Sequence, residues 1–255
     1  MSEPLRLITI PISHYCEKAR WALDRAGVEF REEPHLQVFH HYFARRAGGG
    51  LTTPVLRFPD GHAIGQSSEI LTWADTQLEP ERRLYPEELA SRVRAIEHWL
   101  DVTLGPDGRG WMYKHVLQDV SLIQSFGLNG IPEAERRCFS ALIKGFGPYF
   151  AARMRVQGTN PDLGGIRDVF DEIGGRLADG RAFIFGDRFT AADLTFAALS
   201  APLIVPEQYG YKLPPLELFP PAMQQTVREM RKHPAGEFAL RMFATERQVP
   251  VAAAV

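Results

Sequence analysis

The spacing of apolar residues changes once along this chain, at a charged segment that spans residues 79–86. Before the segment, short apolar runs typical of strands alternate with helical patterns, whereas beyond it the strand signal disappears and helical spacing takes over. The segment itself, Glu-Pro-Glu-Arg-Arg-Leu-Tyr-Pro, is charged and holds two prolines, which is typical of a linker between domains. We therefore predict an α/β domain over residues 1–78, the linker over 79–86 and an all-helical domain over 87–255.

The first domain is predicted to open with a strand, a turn and a helix. Residues 5–10 form an apolar run, Pro11 interrupts it, and the side-chain oxygen of Ser13 can cap a helix that starts directly afterwards. The apolar residues of that helix recur at helical spacing and are expected to face inward as one stripe: Cys16, Ala19, Leu23 and Ala26. The charged side chains expected to face solvent are Glu17, Lys18 and Asp24. The helix is therefore expected to lie on a sheet, with its free N-terminal amides pointing at whatever binds beyond Ser13.

Further strands and a helix complete the predicted α/β domain. They are a strand over residues 28–32, a hairpin formed by residues 52–58 and 62–64, and a helix over residues 67–78. The turn of the hairpin, Pro59-Asp60-Gly61, is a favourable tight-turn sequence. Residues 34–47 carry no clear pattern, and we assign no structure to them. This order of elements predicts helices packed on a small mixed sheet.

The strongest local signal in the predicted helical domain is a helix start at Thr190. Thr190 can cap the backbone N–H of Asp193 while the Asp193 carboxylate reaches back to Thr190, which is a capping box. The helix that follows, to about Val205, is apolar on nearly all sides and is predicted to lie at the centre of its domain. Other helical patterns cover residues 89–104, 138–149, 163–177 and 227–231, whereas glycines are expected to interrupt residues 105–132 and the proline-rich tail to be irregular.

Composition and charge narrow the possible functions. The 29 Lys and Arg residues nearly balance 31 Asp and Glu residues, so the chain lacks the basic surface that binds nucleic acid. Two cysteines, Cys16 and Cys138, are too few for a disulfide framework, and neither they nor the histidines have the spacing of metal ligands. The longest uncharged stretch, residues 194–206, is shorter than the roughly 20 apolar residues that span a bilayer. We therefore expect a cytoplasmic protein with no metal, no nucleic-acid partner and no membrane anchor.

Four short motifs, in their order and spacing, resemble those of the cytosolic-type glutathione transferase superfamily. They are Ser13-His14-Tyr15-Cys16-Glu17-Lys18-Ala19-Arg20, Thr53-Pro54-Val55-Leu56, Gln66-Ser67-Ser68-Glu69-Ile70 and Thr190-Ala191-Ala192-Asp193. The resemblance covers most of the chain and implies a thioredoxin-like N-terminal domain followed by a helical-bundle C-terminal domain. It also implies glutathione as co-substrate and a homodimer.

The resemblance assigns two parts of a glutathione site. The Thr53–Pro54 bond is expected to be cis and to turn the backbone of Thr53 toward the ligand, although a proline that begins an edge strand is the plain structural explanation. Gln66 and Ser67 stand at a helix N-terminus, where they are expected to hold the γ-glutamyl carboxylate or simply to cap the helix. The lysine that often meets the glycyl end in the family is replaced by Thr52. Candidates to take its place are His40, His41, Arg45 and Arg46.

Three side chains near the first helix are candidates to act on the glutathione thiol. Ser13 comes first, because a hydroxyl hydrogen bond and the helix dipole both favour the thiolate. Cys16 comes second, since Ser13-x-x-Cys16 resembles the redox motif Cys-x-x-Cys, although a thiol on an apolar stripe is typical of a packed core. Tyr15 could instead donate its hydroxyl. Aromatic residues that could wall an electrophile pocket are Trp111, Tyr113, Phe146, Tyr149 and Phe150.

These residues support one leading function and two alternatives. We predict a glutathione transferase that conjugates the glutathione thiolate to a small hydrophobic electrophile. The first alternative is a glutathione-dependent thiol oxidoreductase that forms a mixed disulfide on Cys16. The second is a glutathione-binding or interaction protein without turnover. The sequence alone does not choose between Ser13 and Cys16 as the working residue.

Overall fold

A four-stranded sheet organises the first part of the chain in the computed structural model, which describes residues 4–116, 122, 130–139, 141 and 163–247. The strands are β1 (Leu5–Thr9), β2 (Phe30–Pro34), β3 (Val55–Arg57) and β4 (Ala63–Gly65), and their order across the sheet is β2-β1-β3-β4. β1 and β2 are parallel and are joined by α1 (His14–Arg25), whereas the β1–β3 and β3–β4 pairs are antiparallel. The sheet is therefore mixed, as predicted.

Alternate residues of the two central strands face different helices. Leu7 and Leu56 belong to the main core together with residues of α1 and of α3 (Ser67–Asp75). Ile8 and Val55 instead pack with Ala44 of α2 (Phe39–Arg46) in a smaller cluster. Because neighbouring side chains of a strand point to opposite faces, the sheet has helices on both sides. This arrangement confirms the predicted thioredoxin-like fold class.

The chain beyond the sheet is mainly helical and packs around one central helix, α7. The helices are α4 (Ala90–Val102), α5 (Leu104–Val116), α6 (Leu163–Arg176), α7 (Ala191–Ile204), α8 (Pro221–Lys232) and α9 (Pro234–Thr245). Every residue of α7 is buried, and α7 contacts α1, α4, α5, α8 and α9. It starts with the predicted capping box, in which the Thr190 backbone N–H donates to the Asp193 carboxylate over 2.8 Å. The helical-bundle character of this region is confirmed, and the limits of the two domains stay a prediction.

Several elements differ from the prediction. β2 occupies residues 30–34 rather than 28–32, and α2 lies in a stretch to which the sequence assigns no structure. α5 is continuous through glycines that are predicted to interrupt it. The glycines allow close packing, because a Cβ on Gly105 would overlap Tyr15 and a Cβ on Gly108 would lie only 3.2 Å from Leu203. These close contacts offset the low helix propensity of glycine. In the tail predicted to be irregular, α9 forms because it buries one face, which includes Phe238, against α7.

Two of the three charged residues of α1 that were expected to face solvent are buried. Glu17 and Lys18 are not exposed at all, whereas Asp24 is partly buried. The reason is that α1 contacts α7 as well as α3, so the face turned away from the sheet meets the helical region instead of water. The buried charges are paired: Glu17 with Arg20 and Arg247, and Lys18 with Glu97 and Asp101.

The remaining expectations concern membranes and one predicted helix. Among the described residues, none of the helices combines the length and the apolar character needed to cross a bilayer. Residues 133–139 are helical, and the predicted helix positions Leu142, Phe146 and Tyr149 lie outside the described residues.

Candidate functional site

Three chain segments meet at one edge of the sheet. β1 runs antiparallel to β3 with Ile8 opposite Val55, so the turn that follows β1 lies beside Pro54. β3 in turn pairs with β4, with Val55 opposite Gly65, so Gln66 lies on the other side of Pro54. The strand register therefore brings together the start of α1, the Thr53–Pro54 bond and the start of α3.

Ser13 is the N-cap residue of α1. Its backbone is extended, with φ −71° and ψ 122°, and its Oγ accepts a long hydrogen bond of 3.4 Å from the Cys16 backbone N–H. Ser13 is partly exposed. Because Oγ acts as the acceptor in this bond, the hydroxyl hydrogen is not used by it. Ser13 can therefore donate its O–H to a ligand beside the positive end of the α1 dipole.

Cys16 lies one helical turn further along, on the buried stripe of α1. Its side chain is not exposed, and the Ile10 backbone N–H donates to Sγ over 3.5 Å. Burial raises the pKa of the Cys16 thiol, and this effect outweighs the opposing charge of Arg20 and three hydrogen bonds. The thiol is therefore protonated at neutral pH and closed to solvent, whereas a reactive cysteine needs an accessible thiolate.

The hydroxyl of Tyr15 is committed to a contact between α1 and the helical region. It donates to the backbone carbonyl oxygen of Asp101 over 2.7 Å, and the ring packs against Gly105 of α5. Burial raises the pKa of Tyr15, and the nearby Asp101 carboxylate raises it further. Tyr15 is therefore neutral and already has an acceptor for its O–H.

The segments on either side of β3 and β4 have the expected geometry. The Thr53–Pro54 peptide bond is cis and directly precedes β3. Gln66, just before α3, has a positive φ of 67°, which is uncommon for a residue other than glycine. Its side chain is exposed and makes no capping hydrogen bond, whereas Ser67 is buried at the first position of α3. The backbone N–H groups at the start of α3 and the amide of Gln66 are suitable donors for an anion.

The candidates for the glycyl end of glutathione lie on α2. His40 is buried, and its Nδ1 has no hydrogen-bond partner within the described part of the chain. Burial, reinforced by the charge of His41, lowers the pKa of His40 to about 4, so the imidazole is neutral at physiological pH. His41 Nδ1 lies 2.5 Å from the Leu51 carbonyl oxygen, whereas Arg45 and Arg46 are exposed. Positive charge at this end comes from the two arginines and not from His40.

A buried His–Glu pair beside α2 was not predicted from the sequence. His35 Nδ1 lies 2.6 Å from Glu135 Oε1, and Glu135 Oε2 accepts the Leu36 backbone N–H over 3.0 Å. Glu135 therefore ties the turn between β2 and α2 to the helical segment of residues 133–139. The two side chains are 100 positions apart and lie in no recognisable motif, so no local signal could have found them. No third ligand joins them, since no group of three or more His, Cys, Asp or Glu side chains among the described residues could hold a metal ion.

A small apolar pocket lies beside the turn that precedes Ser13. Its volume is about 20 Å³, which is room for about one water molecule. Ile12 lines it from the turn, and the helical region contributes residues that include Met112, Pro202, Tyr209 and Met223. Of the aromatic residues predicted to wall an electrophile pocket, Trp111 is in the core, Tyr113 contacts Gln37, and Phe146, Tyr149 and Phe150 lie outside the described residues.

Family models match both parts of the chain. The model described as glutathione S-transferase, N-terminal domain, matches residues 12–77, and the model described as glutathione S-transferase, C-terminal domain, matches residues 148–213. A comparison with curated protein sequences finds no match.

Solved structures with a similar fold are glutathione transferases of low sequence identity. One from Phanerochaete chrysosporium is 17% identical, with a TM-score of 0.60 over 98% of this chain and 100% of its own. One from Ceriporiopsis subvermispora, crystallised in complex with glutathione, is 14% identical, with a TM-score of 0.61 over 98% of this chain and 100% of its own. One from Rhodospirillum rubrum is 18% identical, with a TM-score of 0.53 over 95% of this chain and 99% of its own. These structures establish the fold, and the ranges matched by the two family models contain the motifs at the sheet edge and at the start of α7. The chain therefore belongs to the cytosolic-type glutathione transferase superfamily.

Proposed function

We propose that the protein is a glutathione transferase in which Ser13 stabilises the thiolate of glutathione for attack on a small hydrophobic electrophile. One observation supports this role above all. Of the three candidate side chains at the start of α1, Ser13 alone combines partial exposure with a place at the helix N-cap, where its hydroxyl interacts with Cys16 of the same turn and not with the helical region, as far as the described residues show. The Cys16 thiol is buried with a raised pKa, and the Tyr15 hydroxyl donates to a backbone carbonyl.

The sheet edge supports binding of the tripeptide at three places. The start of α3, with the exposed amide of Gln66, suits the γ-glutamyl carboxylate, because free N–H groups and the helix dipole favour an anion. The backbone of Thr53, just before Pro54, suits the peptide group of the cysteinyl residue. We assign the glycyl end to α2, where neutral His40 can donate an N–H and the arginines supply charge. The thiol then lies near Ser13.

In this proposal the conjugation needs no covalent enzyme intermediate. The glutathione thiol loses its proton to solvent, and the Ser13 O–H donates a hydrogen bond to the resulting thiolate. The thiolate sulfur attacks the electrophilic carbon and forms a carbon–sulfur bond, while a leaving group such as a halide departs with the bonding electrons. We assign the electrophile to the apolar pocket beside Ile12, which at about 20 Å³ must widen to admit more than a water-sized group.

Replacement of Ser13 tests the proposal. Ser13→Ala would also remove the N-cap, at a cost of about 1 kcal/mol, so Ser13→Gly is the sharper variant because glycine at this position costs only a few tenths of that. We expect Ser13→Gly to lower kcat/KM for a neutral aryl halide roughly tenfold or more and to raise the pKa of bound glutathione, measured by the ultraviolet absorbance of its thiolate. Tyr15→Phe is the matched control, since it removes a neighbouring hydroxyl that already donates to Asp101. Unchanged turnover and thiol pKa in Ser13→Gly would refute the role of Ser13.

The two alternative functions have distinct outcomes in further measurements. A thiol oxidoreductase must form a glutathione adduct on Cys16, which intact-mass analysis after incubation with oxidised glutathione would detect in Cys138→Ser but not in Cys16→Ser. The burial of Cys16 weighs against this outcome. Calorimetric binding of glutathione without turnover of any electrophile would favour the non-catalytic alternative. We also propose a cytoplasmic homodimer, on the family resemblance, and sedimentation of the purified protein tests the dimer.

A further inference from the structure

One face of α5 lies opposite the starts of α1 and α2. At one end of this face, the Gly105 carbonyl oxygen lies 3.1 Å from His14 Nε2. Two turns further along, the Tyr113 hydroxyl is hydrogen-bonded to Gln37, just before α2. Arg109 lies between these two contacts, because residues four and eight positions apart share one face of a helix. Arg109 therefore lies on the face of α5 that is turned toward the starts of α1 and α2.

No counter-ion of Arg109 is found among the residues that the structure describes. Arg109 is partly buried, and no hydrogen bond or ion pair joins its guanidinium to an acceptor anywhere in the described ranges of the chain. By contrast, the buried Arg20 and Arg247 are each paired with two carboxylates. Removing a charge from water costs free energy unless a partner compensates for it. A partly buried guanidinium without a partner in the described residues is therefore suited to an incoming anion.

The His and Tyr side chains on which the charge of Arg109 acts do not neutralise it. Burial lowers the pKa of His14 to about 3, and the charge of Arg109 adds to that effect, so His14 is uncharged. Burial raises the pKa of both Tyr15 and Tyr113 against the opposing charge of Arg109, so both hydroxyls are neutral. Two carboxylates, those of Asp101 and Asp107, also act on Tyr15. Asp101 is bound by the Lys18 ammonium group, and Asp107 has an interaction of its own.

Arg109 also lies about one helical turn from a residue that lines the place that we assign to the electrophile. His14, which the charge of Arg109 affects, directly follows Ser13. Met112, on the next turn of α5, lines the apolar pocket together with Ile12. A cation at the edge of an apolar pocket suits a molecule that has an apolar body and one negative group. A planar guanidinium holds a carboxylate particularly well, because it can donate two parallel hydrogen bonds.

We propose that Arg109 binds the carboxylate of the second substrate, so that the preferred electrophiles are apolar compounds that carry a carboxylate. The inference rests on the proposed function and adds the class of substrate to it. Glutathione carries the same chemical group at its glycyl end, so the experiment has to separate the two sources. The electrophile is favoured because Arg109 shares a face of α5 with Gly105, whose carbonyl oxygen lies 3.1 Å from the residue that follows Ser13. Charge for the glycyl end is already available from Arg45 and Arg46.

Two matched pairs of probes test the proposal. A chloronitrobenzoate and its methyl ester are the electrophiles, and glutathione and its glycyl ethyl ester are compared by calorimetry. Arg109→Met removes the charge and keeps an extended side chain, whereas Arg109→Lys keeps the charge without the planar fork. Arg92→Met is the matched control, since Arg92 is exposed on α4 and lies 5.1 Å above Phe185.

We expect Arg109→Met to lower kcat/KM for the benzoate about tenfold or more relative to its ester, because hydrogen bonds to a charged group are strong. Arg109→Lys should keep part of this preference, Arg92→Met should keep all of it, and the Kd of glutathione should change less than about twofold. If the wild type binds glutathione but turns over neither electrophile, calorimetry instead measures the Kd of the glutathione conjugates of the benzoate and of its ester. Arg109→Met should then weaken binding of the benzoate conjugate more than binding of the ester conjugate.

Two results would overturn the inference while leaving the proposed function intact. One is an equal loss for the benzoate and its ester in Arg109→Met. The other is that Arg109→Met binds glutathione more weakly than the wild type does but binds the glycyl ethyl ester equally well. That result would assign Arg109 to the glycyl carboxylate of glutathione instead. A wild-type protein that does not bind glutathione would refute the proposed function itself, and the calorimetric titration detects that failure separately.

Discussion

The ammonium group of Lys18 connects α1 to two carboxylates of α4, and replacing it tests what holds the sheet against the helical region. Lys18 Nζ lies 2.8 Å from Asp101 Oδ2 and 2.9 Å from Glu97 Oε1, and it donates to Ser68 Oγ over 3.0 Å. The Lys18 side chain is not exposed, and those of Glu97 and Asp101 are only 4% and 17% exposed. Lys18→Met keeps much of the side-chain volume and removes the charge, so both carboxylates lose their shared partner.

The expected loss in Lys18→Met follows from the burial of these charges. Removing one partner of a buried ion pair costs about 3–5 kcal/mol, because the remaining charge stays buried. In a protein of this size, 1 kcal/mol corresponds to about 2–4 °C in Tm, so we expect Tm to fall by about 6–20 °C. The double variant Lys18→Met/Asp101→Asn should recover part of the loss, since it removes one of the uncompensated carboxylates.

A surface ion pair provides the matched control for Lys18→Met. Arg176 lies 2.8 Å from Glu172 on the exposed side of α6, and pairs of this kind contribute about 0–1 kcal/mol. Thermal unfolding followed by circular dichroism and urea unfolding followed by tryptophan fluorescence measure all the variants at one pH and one ionic strength. A loss in Lys18→Met no larger than that in Arg176→Met would refute the reasoning about the buried charges.

Three further changes test other parts of the molecule. Burial raises the pKa of Asp193 to about 6. Because this folded-state pKa lies above the unfolded value of about 3.9, the stabilisation present below pH 4 is lost as the pH rises to about 6. In urea titrations at several pH values over this range, we expect the free energy of unfolding to fall less with pH in Asp193→Asn than in the wild type. An equal fall with pH in both proteins would contradict the raised pKa of Asp193. Glu135→Gln removes the charge that holds the turn between β2 and α2, and we expect glutathione to bind roughly fivefold more weakly by calorimetry. The exposed Glu133→Gln on the same segment should leave that Kd unchanged, and an equal effect of both variants would contradict the role of the turn. Gly105→Ala would overlap the α1 tyrosine and should destabilise the protein by about 1–3 kcal/mol. Gly175→Ala, which meets open space on α6, should stabilise it by about 0.4–1 kcal/mol in the same urea assay, so a change of the same sign in both would count against the packing explanation.

The elements that can be predicted from the sequence are those that a few neighbouring residues specify. Ser13 caps α1, Thr190 and Asp193 form the capping box of α7, and the turn Pro59-Asp60-Gly61 separates β3 from β4. Each feature depends on hydrogen bonds or backbone preferences within about four residues, so the local sequence contains all the information that it needs. Three of the four motifs also located the segments that meet at the sheet edge, and the fourth located the start of α7.

The surroundings of those elements depend on tertiary structure. The position of Lys18 on α1 predicts a solvent-facing residue. In the structure α4 and α7 cover α1, so the Lys18 ammonium group is buried and paired with carboxylates of α4. The glycines of α5 weaken a helix locally, yet they allow α1 and α7 to approach closely enough to stabilise it. Glu135 reaches the turn after β2 from a distant part of the chain, where no motif marks it. Local hydrogen bonding is thus determined by the sequence itself, whereas burial and charge pairing depend on which distant residues the fold brings into contact.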